Sequence, residues 1–161
     1  MKPYLLQLMN DEFWLPNTDA VSMINPGKYD STGNQDSKKP LLVFLPGIDG
    51  SSLSLLPHIH SIRENFSLRM LVFPPNNRSS WYELTDTIFE MIQAELKSNG
   101  QSKAFILSES MGSIASLLLA ERHPELIEKV AVLNPATSFN RALLKPLYQD
   151  IMPNLPNALY K

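Results

Sequence analysis

Phe105-Ile106-Leu107-Ser108-Glu109-Ser110-Met111-Gly112-Ser113 is an apolar run that breaks at a serine flanked by small residues, with an Ala/Leu-rich helical pattern following at once. It reads as a nucleophile elbow. In that motif a serine sits on a strained strand-to-helix turn, and the residues two before and two after it must be small enough for strand and helix to pass each other. Ser108 and Gly112 hold those places. The usual pattern is G-x-S-x-G, so Ser108 departs from it while remaining small. The plainer reading is a strand, loop and helix whose serine merely caps the helix.

Upstream lies Pro40-Leu41-Leu42-Val43-Phe44-Leu45-Pro46-Gly47-Ile48-Asp49-Gly50-Ser51-Ser52, a second buried-strand pattern ending in a glycine loop. Acyl transfer passes through an anionic tetrahedral intermediate, whose oxygen needs two preorganised backbone N–H groups aimed at it. One such donor follows the nucleophile and the other comes from an earlier strand-to-helix loop. Met111 and Ile48 fit those places, and Gly47 and Gly50 let the loop turn tightly enough to present the Ile48 amide. The competing reading is a plain turn.

At 161 residues the chain is long enough to bury one sizeable core. A net charge of -2 without a basic block gives no ground for a nucleic-acid partner or an anionic membrane surface. With no cysteine, disulfides and thiolate metal sites are excluded, and the three histidines lack a ligand spacing. The reading requires no metal and no cofactor. No apolar run reaches the length of a bilayer span, and Leu5-Leu6-Gln7-Leu8-Met9 is too short and too soon followed by Asp11 and Glu12 for a signal peptide. A soluble chain is expected, without a transmembrane segment.

Two regions are expected, 1–39 as an N-terminal segment and polar loop, and 40–161 as a partial α/β domain. In the first, apolar pieces at Tyr4–Met9 and Phe13–Leu15 give way to Asn25-Pro26-Gly27 and a polar run from Gly33. It can supply an edge hairpin to a sheet, with a loosely ordered stretch after residue 25. From Leu41 onward, apolar runs alternate with helix-period segments, the signature of a mostly parallel sheet with helices on both faces. Strands are predicted at 41–45, 69–73, 104–108 and 129–133.

Leu53, Leu56, Ile59, Ile62 and Phe66 predict one helix between the first two strands, with His58 and His60 as solvated polar residues on it. Ser80 and Glu83 form a capping-box signature for a second helix, whose stripe is Leu84, Ile88, Met91, Ile92 and Leu96 and whose stop is Asn99-Gly100. Trp81 and Tyr82 read as packing residues and Arg78 as a solvated loop residue. Ile114 to Ala120 predicts a buried third helix, ended by Pro124, with His123 as a surface residue at its end.

The ordered set of motifs resembles the α/β-hydrolase superfamily across residues 40 to about 135. Leu45-Pro46-Gly47-Ile48-Asp49-Gly50 and Asn134-Pro135-Ala136-Thr137-Ser138-Phe139 resemble more narrowly the phytyl ester synthase group of esterase, lipase and thioesterase proteins, in which a hydrolase-like domain precedes an acyltransferase domain. The resemblance implies Ser110 as nucleophile, Ile48 and Met111 as oxyanion donors, an acyl donor and an alcohol acceptor as partners, and a cytoplasmic or plastid setting.

In this fold the triad runs Ser, Asp or Glu, then His along the chain. After Ser110 the only aspartate is Asp150 and the only histidine is His123, in the wrong order. The expected protein is therefore the N-terminal half of a hydrolase-like domain, its C-terminal strands missing, serving serine-dependent acyl transfer or ester hydrolysis on lipid-like esters. A generic carboxylesterase or lysophospholipase is the neighbouring alternative. A non-catalytic binding or regulatory protein that kept the fold and lost the base is the alternative from another class.

Overall fold

Runs of β-branched and aliphatic residues buried on both faces form the centre of the molecule, as a parallel sheet demands. The structure is a computed structural model and describes residues 19–29 and 38–136. In chain order these form β1 (Ser22–Ile24), a 3-10 turn (Pro26–Tyr29), β2 (Leu41–Leu45), a 3-10 segment (Leu53–His58), α1 (Ile59–Asn65) and β3 (Ser67–Val72). There follow α2 (Trp81–Asn99), β4 (Ala104–Glu109), α3 (Gly112–Arg122), a 3-10 turn (Pro124–Leu126) and β5 (Ile127–Leu133). The expectations for Tyr4–Met9, Phe13–Leu15, the polar run 33–37 and everything from Thr137 onward, Asp150 included, lie outside the described residues.

The strands form one sheet in the order β1-β3-β2-β4-β5. β1 runs antiparallel to β3, pairing Ser22 with Val72, and every other pairing is parallel. The sheet is thus mostly parallel with an antiparallel edge, as expected. Alternate residues divide its two faces. Leu41, Val43, Leu45, Ala104 and Ile106 meet Ile88, Ile92 and Leu119 of α2 and α3. Leu42, Phe44, Leu68 and Met70 meet Leu55 and Ile59 on the other side.

The second helix starts where its capping box places it. The Ser80 hydroxyl accepts from the Glu83 amide at 3.3 Å, and the Glu83 carboxylate accepts from the Ser80 amide at 2.8 Å. Hydrogen bonding of its carboxylate to the Ser80 backbone amide first, and to the Ser80 side chain second, holds the exposed Glu83 carboxyl below its ordinary value. At the far end Gly100 takes a left-handed conformation, φ 65°, which closes the last turn. Leu84, Ile88, Ile92 and Leu96 are buried along one stripe.

Four expectations need correction, one of them Tyr82, which is 62% exposed rather than a packing residue. The single helix over Leu53 to Phe66 is instead a 3-10 segment followed by a seven-residue α-helix. Pro57 lies inside it and cannot donate to an α-helical ladder. Ile59 is buried as expected, but Leu55 is buried in place of Leu53, which is exposed, and Leu56, Ile62 and Phe66 are half-buried. The third helix is not buried all round, since Leu117 is 45% exposed while Ala115, Ser116 and Leu119 face the core. His123 is no free surface residue: its ring stacks on Phe89 with centroids 3.9 Å apart and its Nε2 is buried.

One buried ion pair escaped the hydrophobic pattern. Arg69 on β3 is 6% exposed, and its guanidinium reaches the Glu95 carboxylate at 2.7 Å, with further bonds to Ser67 Oγ and the Leu68 carbonyl. A charge buried so deeply requires that partner.

Candidate active site

After β2 the chain turns towards β3 on one side, whereas β4 lies on β2's other side, so the strand order reverses between β2 and β4. Open α/β sheets bind ligands in the crevice at the carboxyl ends of such strands. The glycine loop after β2 and the serine turn after β4 both lie there.

Ser110 has φ 47°, a left-handed conformation that a residue with a Cβ adopts only under constraint. The constraint is a set of main-chain bonds. The Ser110 amide donates to the Leu133 carbonyl at 2.9 Å, and the Ser110 carbonyl accepts from the Ala136 amide at 3.1 Å and from the Ser113 amide at 3.2 Å. Asn134, also left-handed at φ 45°, turns the chain between Leu133 and Ala136. The stretch Asn134-Pro135-Ala136 is therefore a strap over the serine turn.

Gly112 is where the helix crosses β2. A Cβ there would lie 2.5 Å from both the Leu45 and the Pro46 carbonyl oxygens, so only glycine fits. Ser108 solves its own crowding differently. It is fully buried, and its hydroxyl bonds Ser116 Oγ at 2.8 Å, which in turn donates to the Ser113 carbonyl at 3.0 Å. The departure from glycine thus joins the end of β4 to the first turns of α3.

The glycine loop is fastened to β3. Gly50 N–H donates to Gly47 O at 3.0 Å, Phe73 N–H donates to Gly50 O at 2.8 Å, and the buried Ser52 hydroxyl donates to Leu71 O at 2.5 Å. Gly50 is left-handed at φ 66°, and a Cβ on it would strike the Phe73 carbonyl oxygen at 2.2 Å. Gly47 is under no such demand. Its open side faces the serine, since a Cβ there would meet Ser110 Cβ at 3.6 Å. The loop and the turn are thereby neighbours, and Ile48 and Met111 line one cavity of about 260 Å3 beside them.

Two contacts were not foreseen. Glu109, the residue before Ser110, accepts from Ser54 Oγ at 2.7 Å, which ties the 3-10 segment to the elbow. Ser51 donates to the Asp49 carboxylate inside the glycine loop. The only sequence signal for either was that a polar residue stood beside a motif. Arg78 is exposed and folds onto its own loop, donating to the Pro75 and Asn77 carbonyls. His58 and His60 are exposed, with His60 near Glu64 at 3.7 Å. His123 is separated from Ser110 by the eleven-residue α3, about 16 Å of helix axis. Among the described residues no group of three or more His, Asp or Glu could hold a metal ion.

The chain is 32% identical over 127 residues to phytyl ester synthase 2, chloroplastic, of Arabidopsis thaliana, a match covering 79% of this chain and 18% of the relative. It is 30% identical over 121 residues to phytyl ester synthase 1, chloroplastic, of the same plant, covering 75% and 17%. The chain is a homologue of the phytyl ester synthases. It spans less than a fifth of the length of these relatives. Among solved structures, a carboxylesterase of the thaumarchaeon Nitrososphaera gargenis superposes with a TM-score of 0.59 at 17% identity, over 86% of this chain and 50% of that one. The Bacillus licheniformis lipase BlEst2 superposes with 0.59 at 18% identity, over 84% and 54%. The fold is that of the α/β-hydrolases, present in part. No family model matches the chain.

Proposed function

We propose that Ser110 is the nucleophile of an acyl-transfer or ester-hydrolysis site for lipid-like esters, with the Ile48 and Met111 amides as oxyanion donors. The observation that carries this reading is the left-handed Ser110 held between Gly47 and the β2–Gly112 crossing. A serine used only as a helix cap needs no such backbone. The reaction begins with addition of Ser110 Oγ to the ester carbonyl carbon. A general base takes the hydroxyl proton, the carbonyl π electrons move to oxygen beneath the two amides, and the alkoxide leaves with the proton handed on from the base. None of the three histidines of the sequence is placed for that role by the triad order or by the fold.

The phytyl ester synthase homologues favour acyl transfer from a lipid acyl donor to an alcohol, in a plastid setting, and the carboxylesterase fold neighbours are consistent with simple hydrolysis. No helix among the described residues is long and apolar enough to cross a membrane. A fluorophosphonate probe applied to the natural protein that carries this segment should label Ser110, and Ser110→Ala should remove the label. Persistent labelling of Ser110→Ala would refute the assignment. The stacking of His123 on Phe89, far from Ser110, favours a second reading, a ligand-binding protein without chemistry; absence of labelling in the natural protein would select it.

A further inference from the structure

Ile48 is 85% exposed, so almost nothing packs against its side chain to fix the plane of its peptide. Polar ties fix it instead. Gly50 N–H donates to Gly47 O at 3.0 Å, which closes a turn with Ile48 and Asp49 at its two central places. Beyond the turn, Ser51 is 6% exposed and its hydroxyl works in both directions, donating to the Asp49 carboxylate and accepting from the Leu53 amide at 3.3 Å. Leu53 opens the 3-10 segment, which Leu55 and the following Ile59 anchor in the core. A continuous line of bonds thus runs from a buried segment, through Ser51, to the only charged side chain of an exposed turn. Among the described residues the Ile48 amide itself has no acceptor.

We infer that Ser51 is a positioning residue of this loop, which through Asp49 holds the peptide carrying the Ile48 amide in the orientation an oxyanion needs. The inference rests on the proposed role of Ser110. A hydroxyl bonded to a carboxylate is a stronger tie than one bonded to a neutral acceptor, which suits a turn that has no packing of its own. The same charge has a drawback. Asp49 Oδ1 and Ser110 Cβ lie 3.8 and 3.6 Å from one point, the place that a Gly47 Cβ would take, so the carboxylate stands across the open side of that glycine from the serine. Negative charge there opposes the charge that develops on the substrate oxygen. The Ser51 hydroxyl dipole offsets part of it while it holds Oδ2 within the loop. Asp49 is thus a strong acceptor and a poor neighbour, whereas an amide in its place would be a weaker acceptor and a harmless neighbour.

The second-order rate of fluorophosphonate labelling, measured on the natural protein that carries this segment, tests the loop through Ser110. Ser51→Ala should lower that rate at least about tenfold, as a misaligned oxyanion donor does, and with an ester substrate the loss should fall on kcat rather than KM. Asp49→Ala should lose as much. Asp49 is exposed, so its variants keep the parent's cooperative melt even where Ser51→Ala does not. Asp49→Asn still accepts from Ser51 and lacks the charge, so it should label at least about five times faster than Asp49→Ala. Because Ser51 acts through Asp49, adding Ser51→Ala to Asp49→Ala should lower the rate by less than about threefold further. Parent-like labelling of Ser51→Ala, a loss confined to KM, equal rates for the Asn and Ala variants of Asp49, or losses that multiply in the double variant would each overturn the inference. If Ser110 takes the label and Ser51→Ala takes it equally fast, the nucleophile stands and the positioning role falls. If Ser110→Ala is still labelled, the nucleophile assignment falls and this inference falls with it.

Discussion

The two sides of β4 are built to different standards. Towards β2, every residue of the neighbouring strand is buried, both faces of the sheet are covered, and main-chain atoms approach so closely that Gly112 cannot carry a side chain. Towards β5, only Ile127 is buried, while Val132 and Leu133 are 37% and 48% exposed. An apolar trough of about 760 Å3 opens there, floored by Phe105, Leu107 and Val130 and flanked by Ile62 and Phe66. β2 is apolar throughout, whereas β5 carries Glu128 and Lys129 but is otherwise aliphatic. Even so, Val132 and Leu133 of β5 are aliphatic and exposed, so aliphatic content alone does not measure how strongly a strand is held.

The largest expected effect that would sharpen this contrast is at the crossing. Gly112→Val should cost about 3 kcal/mol or more, since the new Cβ would have to displace two backbone carbonyls rather than a movable side chain. A thermal melt within 2 °C of the parent would break the account of the elbow. Matched truncations come next. Ile106→Ala in β4 should cost about 2–4 kcal/mol in urea unfolding, whereas Leu133→Ala in β5 should stay within about 0.5 kcal/mol. Equal losses would show that the trough side is as firmly packed as the other. The same difference should appear in solution behaviour. Val132→Lys should leave stability nearly unchanged and reduce light scattering from associated species, because charge on an edge strand opposes pairing with another chain.

Smaller effects follow. Ser80→Ala should lower stability by about 1 kcal/mol through loss of the helix cap. The Glu83 contribution has a definite pH sign. Its carboxyl titrates below the ordinary value when folded, so its contribution is present above that value and is lost as pH falls through the lowered folded pKa. In Ser80→Ala an NMR titration should show the Glu83 pKa returning upward. Ser108→Gly should be the mildest, below about 1 kcal/mol, because Ser116 keeps its bond to the Ser113 carbonyl.

Much of this architecture was legible from the chain. The four parallel strands follow their aliphatic runs to within two residues, and Ser80 with Glu83 marks a helix start that the hydrogen bonds reproduce. The glycine loop and the serine turn were each legible as following a strand, while the pairing that makes those two strands neighbours is given by the sheet. Three features were not readable. Ser22–Ile24 is too short for a period to declare itself, and its pairing with β3 decides it. The turn at Leu53–His58 follows the local veto of Pro57 over a convincing apolar stripe. The pairing of Ser108 with Ser116 depends on a helix returning over the strand, a tertiary event that spacing along the chain does not announce.

The strap formed by Leu133 to Ala136 has a consequence for how this segment tolerates change. It grips Ser110 through a carbonyl and an amide that every residue other than proline possesses. Exchange of side chains along it is therefore tolerated wherever the positive φ of Asn134 can be kept, by asparagine or glycine above all. Chain length is not. Deleting one residue between Leu133 and Ala136, or inserting one, would put the gripping groups out of step with Ser110 and let its backbone relax out of the left-handed region. The left-handed backbone of Ser110 is thus guarded by a count of residues some two dozen positions away rather than by their identity.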